Sequence, residues 1–264
     1  MISNEILQAL QEKKSFAKTN LQGINFSEMD LSGLDFSCTN LIGANLSQTN
    51  LSGANLKNAD LRGANLSCAN LTGANLTESY LFRSNLEGCC LTQAQLEGAK
   101  LQLARYDSQT QWVEGFDYRN SGAIGPKANL NGVFLNTANL KNADLRGANL
   151  RGAYLSGTDL RGANLEDAAL SGANLQGALF TGAYLRKARF IGAELQGVDF
   201  RAADLTDANF EQVQNISGAD FTKAQGISEE TQAMLCSRPG KELGQWNPFT
   251  RCNTGDSLGC KTRK

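Results

Sequence analysis

Large apolar residues fall on every fifth position of this chain, beginning Phe16, Leu21, Phe26, Leu31, Phe36, Leu41 and continuing without a miss to Leu101 and Tyr106. A second register starts at Leu130 and runs through Leu135, Leu140 and Leu145 to Leu205 and Phe210. Two places before each apolar residue stands a small one, as at Ala54, Ala64, Ala74, Ala143, Ala153 and Ala163; one place before it stands Asn or Asp, and Gly is common two places after. On an α-helix five residues turn about 140°, which scatters the Leu positions over every face; on a flat strand they alternate sides. The backbone must therefore change direction inside each unit.

If each unit forms one side of a box, four units make a coil of about twenty residues, and coils stack at the ~4.8 Å spacing of neighbouring strands. Leu46, Leu66 and Leu86 then form one inward column, and Leu150, Leu170 and Phe190 another. Ala points inward beside the large residue, where only a small side chain leaves room. Asn or Asp faces out and bonds local backbone as in an Asx turn. Gly suits positive φ at a corner. Because Gly23, Gly33, Gly43, Gly53, Gly63 and Gly73 recur at alternate units, two of the four corners are expected to use a different turn type from their neighbours.

The stretches ANLKNADLRGANLSCANLTGANL (54–76) and ANLKNADLRGANLRGAYLSGTDLRGANL (138–165) resemble the pentapeptide repeat family, and the resemblance covers roughly residues 18 to 227 apart from one interruption. It implies an all-β fold, a right-handed quadrilateral β-helix, of a cyanobacterial type.

An open stack exposes strand edges, so caps are expected at both ends. Ile2, Ile6, Leu7 and Leu10 share one helical face, consistent with a short helical cap over 1–17. Ser228 is a good N-cap for a second helix over 228–239, with Glu229 and Glu230 in its first turn and Pro239-Gly240 stopping it. The reading divides the chain into the first cap, a repeat block at 18–106, an inserted aromatic loop at 107–127, a second block at 128–227, the second cap, and a loosely ordered tail at 240–264. The insertion is expected to leave the coil, and a one-residue slip separates Phe210 from Ile216.

Composition narrows function by exclusion. Histidine is absent, which removes a Ser-His-Asp triad, a Cys-His dyad and the commonest metal ligand. No Cys-x-x-Cys pair and no phosphate-cradling loop occur, and outward carboxylates such as Asp60, Asp144 and Asp159 occupy the ordinary Asn/Asp place of the period. No enzymatic activity, cofactor or metal is expected. Lys and Arg number 25 against 26 Asp and Glu, for a net charge of −1, so neither nucleic acid nor a membrane surface is expected as a partner. A stripe of Lys141, Arg161 and Arg201, broken by Thr181, reads as a solvated face rather than a phosphate site.

The start of the chain lacks the pattern of a secretory signal, and seven Cys is an odd number in a chain of 264 residues, so a cytoplasmic location with reduced thiols is expected. Cys89 replaces an inward Ala and reads as a core residue; Cys252 and Cys260 are close enough to pair if oxidised, with a reduced tail favoured.

The reading that remains is a non-enzymatic scaffold or regulator offering flat polar walls and the inserted loop to a protein partner. In the loop, Trp112, Phe116, Tyr118 and Arg119 are the candidate contacts, set against the alternative that these aromatics fold back onto the chain's own side. Self-association through an exposed end of the stack is a further expectation. The resemblance also brings a DNA-mimicking topoisomerase inhibitor or protector, which needs a strongly negative rod and is disfavoured by the balanced charge.

Overall fold

Every amide of the five-residue unit has its own acceptor, and this explains the residue types. In the unit around Leu46, Leu46 N donates to Asn65 O (2.7 Å) and Gln48 N to Ser67 O (2.8 Å) in the next coil, while Asn45 N donates to Ile24 O (2.8 Å) in the preceding one. Thr49 N closes the turn on Leu46 O (3.4 Å). The one donor left, Ser47 N, has no backbone carbonyl in reach and is taken by Asn45 Oδ1 at 3.2 Å. The same side-chain bond recurs at Asn40 to Ile42, Asn65 to Ser67 and Asn164 to Glu166. Asn or Asp is therefore demanded by hydrogen-bond accounting, since a polar group left without a partner costs about 1–3 kcal/mol.

The computed structural model describes residues 4–260, and the chain divides between Gly125 and Pro126 into two compact units. In the first, parallel bridges link residues twenty apart, as in Asn45 to Asn65 to Asn85 and Asn50 to Asn70 to Cys90; in the second, Asn149 to Ala169 to Arg189 and Asp159 to Leu179 to Asp199 do the same. Four such ladders, offset by five residues, recur in each coil. The slip after Phe210 appears as a 21-residue step, Glu194 to Asn215.

The large residues fill the interior of both units. Leu46, Leu66, Leu86, Leu150, Leu170 and Phe190 are all buried, as are the Ala residues beside them. Where Thr replaces Ala, its buried hydroxyl donates to a carbonyl of the coil before it: Thr49 Oγ1 to Phe26 O at 3.0 Å and Thr158 Oγ1 to Leu135 O at 2.8 Å. Cys89 is buried in the same place, donating to Leu66 O at 2.7 Å, and burial pushes its thiol up to about 12.

The corners do not alternate in turn type. Glu28, Cys38, Gln48 and Asn58 have φ of 64°, 55°, 57° and 56°, the same left-handed region as Gly23, Gly33, Gly43 and Gly53 at 63° to 67°. A side chain there costs about 1 kcal/mol, which the ladder around it outweighs. Gln48→Gly is expected to raise stability by about 0.5–1 kcal/mol, readable as a higher denaturation midpoint.

The inserted segment does not leave the coil as a free loop. Gln111 bridges Cys90 and Ile124 bridges Arg105, so residues 107–125 form a further, irregular circuit of the first unit. Asp107 Oδ1 organises its start by accepting from Gly88 N (2.9 Å), Gln109 N (3.0 Å) and Thr110 N (3.0 Å). At its end Gly125 lies so close to Tyr106 that a Cβ would come within 2.6 Å of the Tyr106 carbonyl oxygen and ring, so only glycine fits.

The two ends differ from expectation in opposite ways. Helix α1 (Asn4–Gln11) forms, but no residue from Glu5 to Gln11 is buried and Leu7 is exposed; Ile2 lies outside the described residues. At the other end α2 (Glu229–Cys236) starts at Ser228, whose hydroxyl accepts from Thr231 N (3.1 Å). The tail beyond it is ordered, not loose: α3 (Gly240–Leu243) and α4 (Thr254–Leu258) fold against one another, and a disulfide joins Cys236 to Cys260, with Cα atoms 5.5 Å apart. This corrects the thiol expectation as well, for Cys260 pairs with Cys236 and Cys252 is free.

Tail and last coil meet through specific bonds. Thr254 Oγ1 donates to Ile216 O (3.0 Å), Phe221 N donates to Ser257 Oγ (3.1 Å), and Asn247 Nδ2 donates to Gly218 O (2.8 Å). The Arg238 guanidinium donates to Val213 O (3.1 Å) and Gln214 O (2.6 Å). Groups that a further coil would have satisfied are met by side chains instead, which is the requirement at any strand edge.

Candidate functional site

The outward side chains of the walls sort into three kinds. The commonest is the Asn/Asp of the repeat, tied down by its own turn and often to the rung beside it, as Asn55 Nδ2 is to Asp35 Oδ1 (2.9 Å) and Asn149 Nδ2 to Asn129 Oδ1 (3.0 Å). These are structural.

The second kind is a recurrent Asp-x-Arg pair in which the arginine two places on folds back over the carboxylate. It occurs at Asp60 and Arg62, Asp144 and Arg146, Asp159 and Arg161, and Asp199 and Arg201, each with a guanidinium-to-carboxylate contact of 2.6 to 2.8 Å. Asp199 is the most enclosed. Burial alone would raise its pKa, but Arg201, the Arg201 backbone N–H and the Thr181 hydroxyl more than offset that and hold the carboxyl below the ordinary range. Arg161 and Arg201 are thus occupied by their own carboxylates, so the stripe running from Lys141 presents no row of free cations.

The third kind is aromatic. In the inserted segment Trp112 stacks on Tyr118 (centroids 5.4 Å, planes 3° apart) and on Phe116 (5.6 Å), and both Trp112 and Tyr118 meet the buried Tyr106 edge-on at 5.4 and 5.5 Å. These three loop aromatics are half-buried against one another, and Arg119, which is exposed, lies over the Tyr118 ring with its guanidinium carbon 5.7 Å from the centroid. The structure brings all four candidate residues together, but most of their ring surface is spent inside the cluster.

The aromatics of the repeat that do face solvent stand elsewhere, in the Asn/Asp place: Tyr80 in the first unit, and Phe134, Tyr154 and Tyr184 in the second. Phe134 and Tyr154, on consecutive rungs of one wall, stack with centroids 4.5 Å apart and planes 7° apart, yet remain 72% and 43% exposed. Neither can accept the turn hydrogen bond that Asn supplies; Ser156 N, which would have donated to a residue at 154, donates instead to Asn136 Oδ1 in the coil before it (3.1 Å). Sequence reasoning missed this pair, although the signal was there: an aromatic in a place the period reserves for Asn or Asp. Further along, Trp246 and Phe249 of the tail are also exposed, beside a cavity of about 370 Å³ that reaches the corners at Gly197 and Gly218.

Among the described residues no group of three or more His, Cys, Asp or Glu is placed to hold a metal ion, and no helix is long and apolar enough to cross a membrane.

Comparison with known proteins agrees with the geometry. The family profile "Pentapeptide repeats" matches in eight copies, over residues 15–48, 39–77, 127–157, 138–177, 163–201, 173–212 and 183–225. Among solved structures, HetL from the cyanobacterium Nostoc sp. strain PCC 7120, a pentapeptide repeat protein involved in heterocyst differentiation regulation, is 31% identical over 86% of this chain and 98% of its own, with a TM-score of 0.32. A pentapeptide repeat protein of the Arabidopsis thaliana thylakoid lumen is 22% identical over 89% and 90% (TM-score 0.27). QnrB1, a plasmid-mediated fluoroquinolone resistance protein, is 19% identical over 84% and 97% (TM-score 0.33). No curated protein matches. With the repeat profile spanning more than half of the residues, this chain belongs to the pentapeptide repeat family.

Proposed function

We propose that this protein is a non-enzymatic interaction protein, coiled as a right-handed quadrilateral β-helix, that holds a protein partner against the wall of its second unit marked by Phe134 and Tyr154. One observation carries the reading: at these two rungs the repeat replaces its usual Asn or Asp with a stacked aromatic pair that stays exposed to water. An exposed aromatic pair in a place the period gives to Asn or Asp is the mark of residues kept for binding, and clustered exposed aromatics make the strongest anchors of protein interfaces. The loop residues Trp112, Phe116, Tyr118 and Arg119 are the secondary contact, through the exposed Arg119.

A regulatory role fits the same picture, in the sense in which HetL is involved in differentiation. DNA mimicry of the kind considered for topoisomerase binding is disfavoured more strongly than by net charge alone, because four outward aspartates are each covered by an arginine. Self-association through an end of the stack is assigned to the first coil, since the tail lies over the last one. The cytosol is kept as the location, where a disulfide is formed and broken rather than held permanently.

Phe134→Asn combined with Tyr154→Asn tests the reading. Restoring the repeat's usual residue is expected to leave stability within about 1 kcal/mol, because the turn hydrogen bond regained offsets the lost ring stacking, while affinity capture from the native organism loses its main partner. Capture that is unchanged in the double variant but lost on removing residues 107–125 would move the site to the loop.

A further inference from the structure

The C-terminal tail is held by a few hydrogen bonds to the last coil and by one disulfide. Helices α3 and α4 have four and five residues, too few to be stable alone. Between them and α2 lies a cavity of about 510 Å³, lined by Arg238, Leu243, Gly244 and Asp256 together with both half-cystines, so the disulfide borders an open cleft. What the tail covers is specific: the N–H groups of Ile216 and Phe221 and the carbonyls of Ile216 and Gly218, which form the edge of the last coil.

We infer that the Cys236–Cys260 disulfide is a redox latch that keeps this tail closed over the edge of the last coil. A thiolate of a dithiol reductant attacks one sulfur through the cleft, the S–S bond breaks and a mixed disulfide forms. The reductant's second thiol then displaces the protein sulfur. Two electrons and two protons pass to Cys236 and Cys260, which end as thiols, and the reductant leaves as its own disulfide. Opening a bond that closes residues 236–260 into a ring frees the tail, and the last coil then presents an unpaired parallel edge beside the apolar Ile216 and Phe221. The oxidised protein has that edge shut; the reduced protein has it open. Cys252, a free thiol in the same tail, takes no part.

Amide hydrogen exchange on the full chain, with and without a small dithiol under native conditions, tests this. Reduction is expected to speed exchange on the order of tenfold at residues 213–221 and 240–259, to leave 130–200 protected, and to reverse on reoxidation. Cys260→Ser should show the fast pattern without reductant, and Cys252→Ser the slow one until reductant is added. Three results would overturn the inference: a bond that resists the dithiol in the folded chain, exchange that does not respond to its cleavage, or loss of protection throughout the second unit, which would make the bond a staple of the fold.

Discussion

Phe200→Ala is expected to cost about 3–5 kcal/mol of stability, the largest loss from any single truncation considered in the second unit. Phe200 is fully buried and sits at the centre of an aromatic column: it stacks on Phe180 (5.4 Å) and Phe221 (5.1 Å) in the coils on either side, and meets Phe190 (5.6 Å) and Phe210 (6.0 Å) edge-on. Alanine removes both the apolar area and these ring contacts, and backbone ladders at fixed spacing cannot collapse to fill the hole. Chemical denaturation followed by circular dichroism reads the change. Phe200→Leu, which keeps most of the volume, should fall less than half as far, and a loss below about 1 kcal/mol for alanine would contradict the packing described.

Leu150→Ala comes next, at about 2–5 kcal/mol, against about 1 kcal/mol for Asn149→Ala beside it. Leu150 is fully buried in its column with Leu170. Asn149 faces outward, donates to Asn129 Oδ1 (3.0 Å) and accepts from Arg151 N at a long 3.4 Å, so its removal forfeits one good hydrogen bond and one weak one. Because each coil touches only its neighbours, the loss at Leu150 should appear first as local opening between residues 130 and 170 in hydrogen exchange. Equal losses at the two positions would overturn the inward assignment of the leucine.

Most of the repeat architecture was legible because its cause is periodic. A five-residue spacing of Leu and Phe admits neither helix nor flat strand, and the twenty-residue bridges follow from closing the box. The corners were misjudged for an energetic reason: a positive φ at Gln48 or Cys38 costs too little to demand glycine, so residue type there says nothing about turn type. The tail was misjudged because helices of four or five residues have no period to display, and because its order comes from bonds to residues more than twenty positions away, such as Arg238 to Val213. The disulfide escaped for the same reason, since Cys236 lies in a helix and nothing in sequence spacing ties it to Cys260. Phe134 is different, for the period itself marks it as a departure: it precedes Leu135 in the place of Asn or Asp.

The Asn or Asp side chain found at most turns, together with the turn's own i to i−3 backbone bond, closes the five-residue step within its coil, while the other backbone bonds run between neighbouring coils. A change of twenty residues therefore keeps every ladder in register, and the 21-residue step from Glu194 to Asn215 shows that a single extra residue is taken up locally as a bulge in one corner. Within either unit, loss of twenty residues removes one circuit and leaves each ladder in register, whereas loss of five moves every later residue of that unit onto the next ladder. A molecule of this kind grows and shrinks in floors, and what is written on one wall stays on that wall.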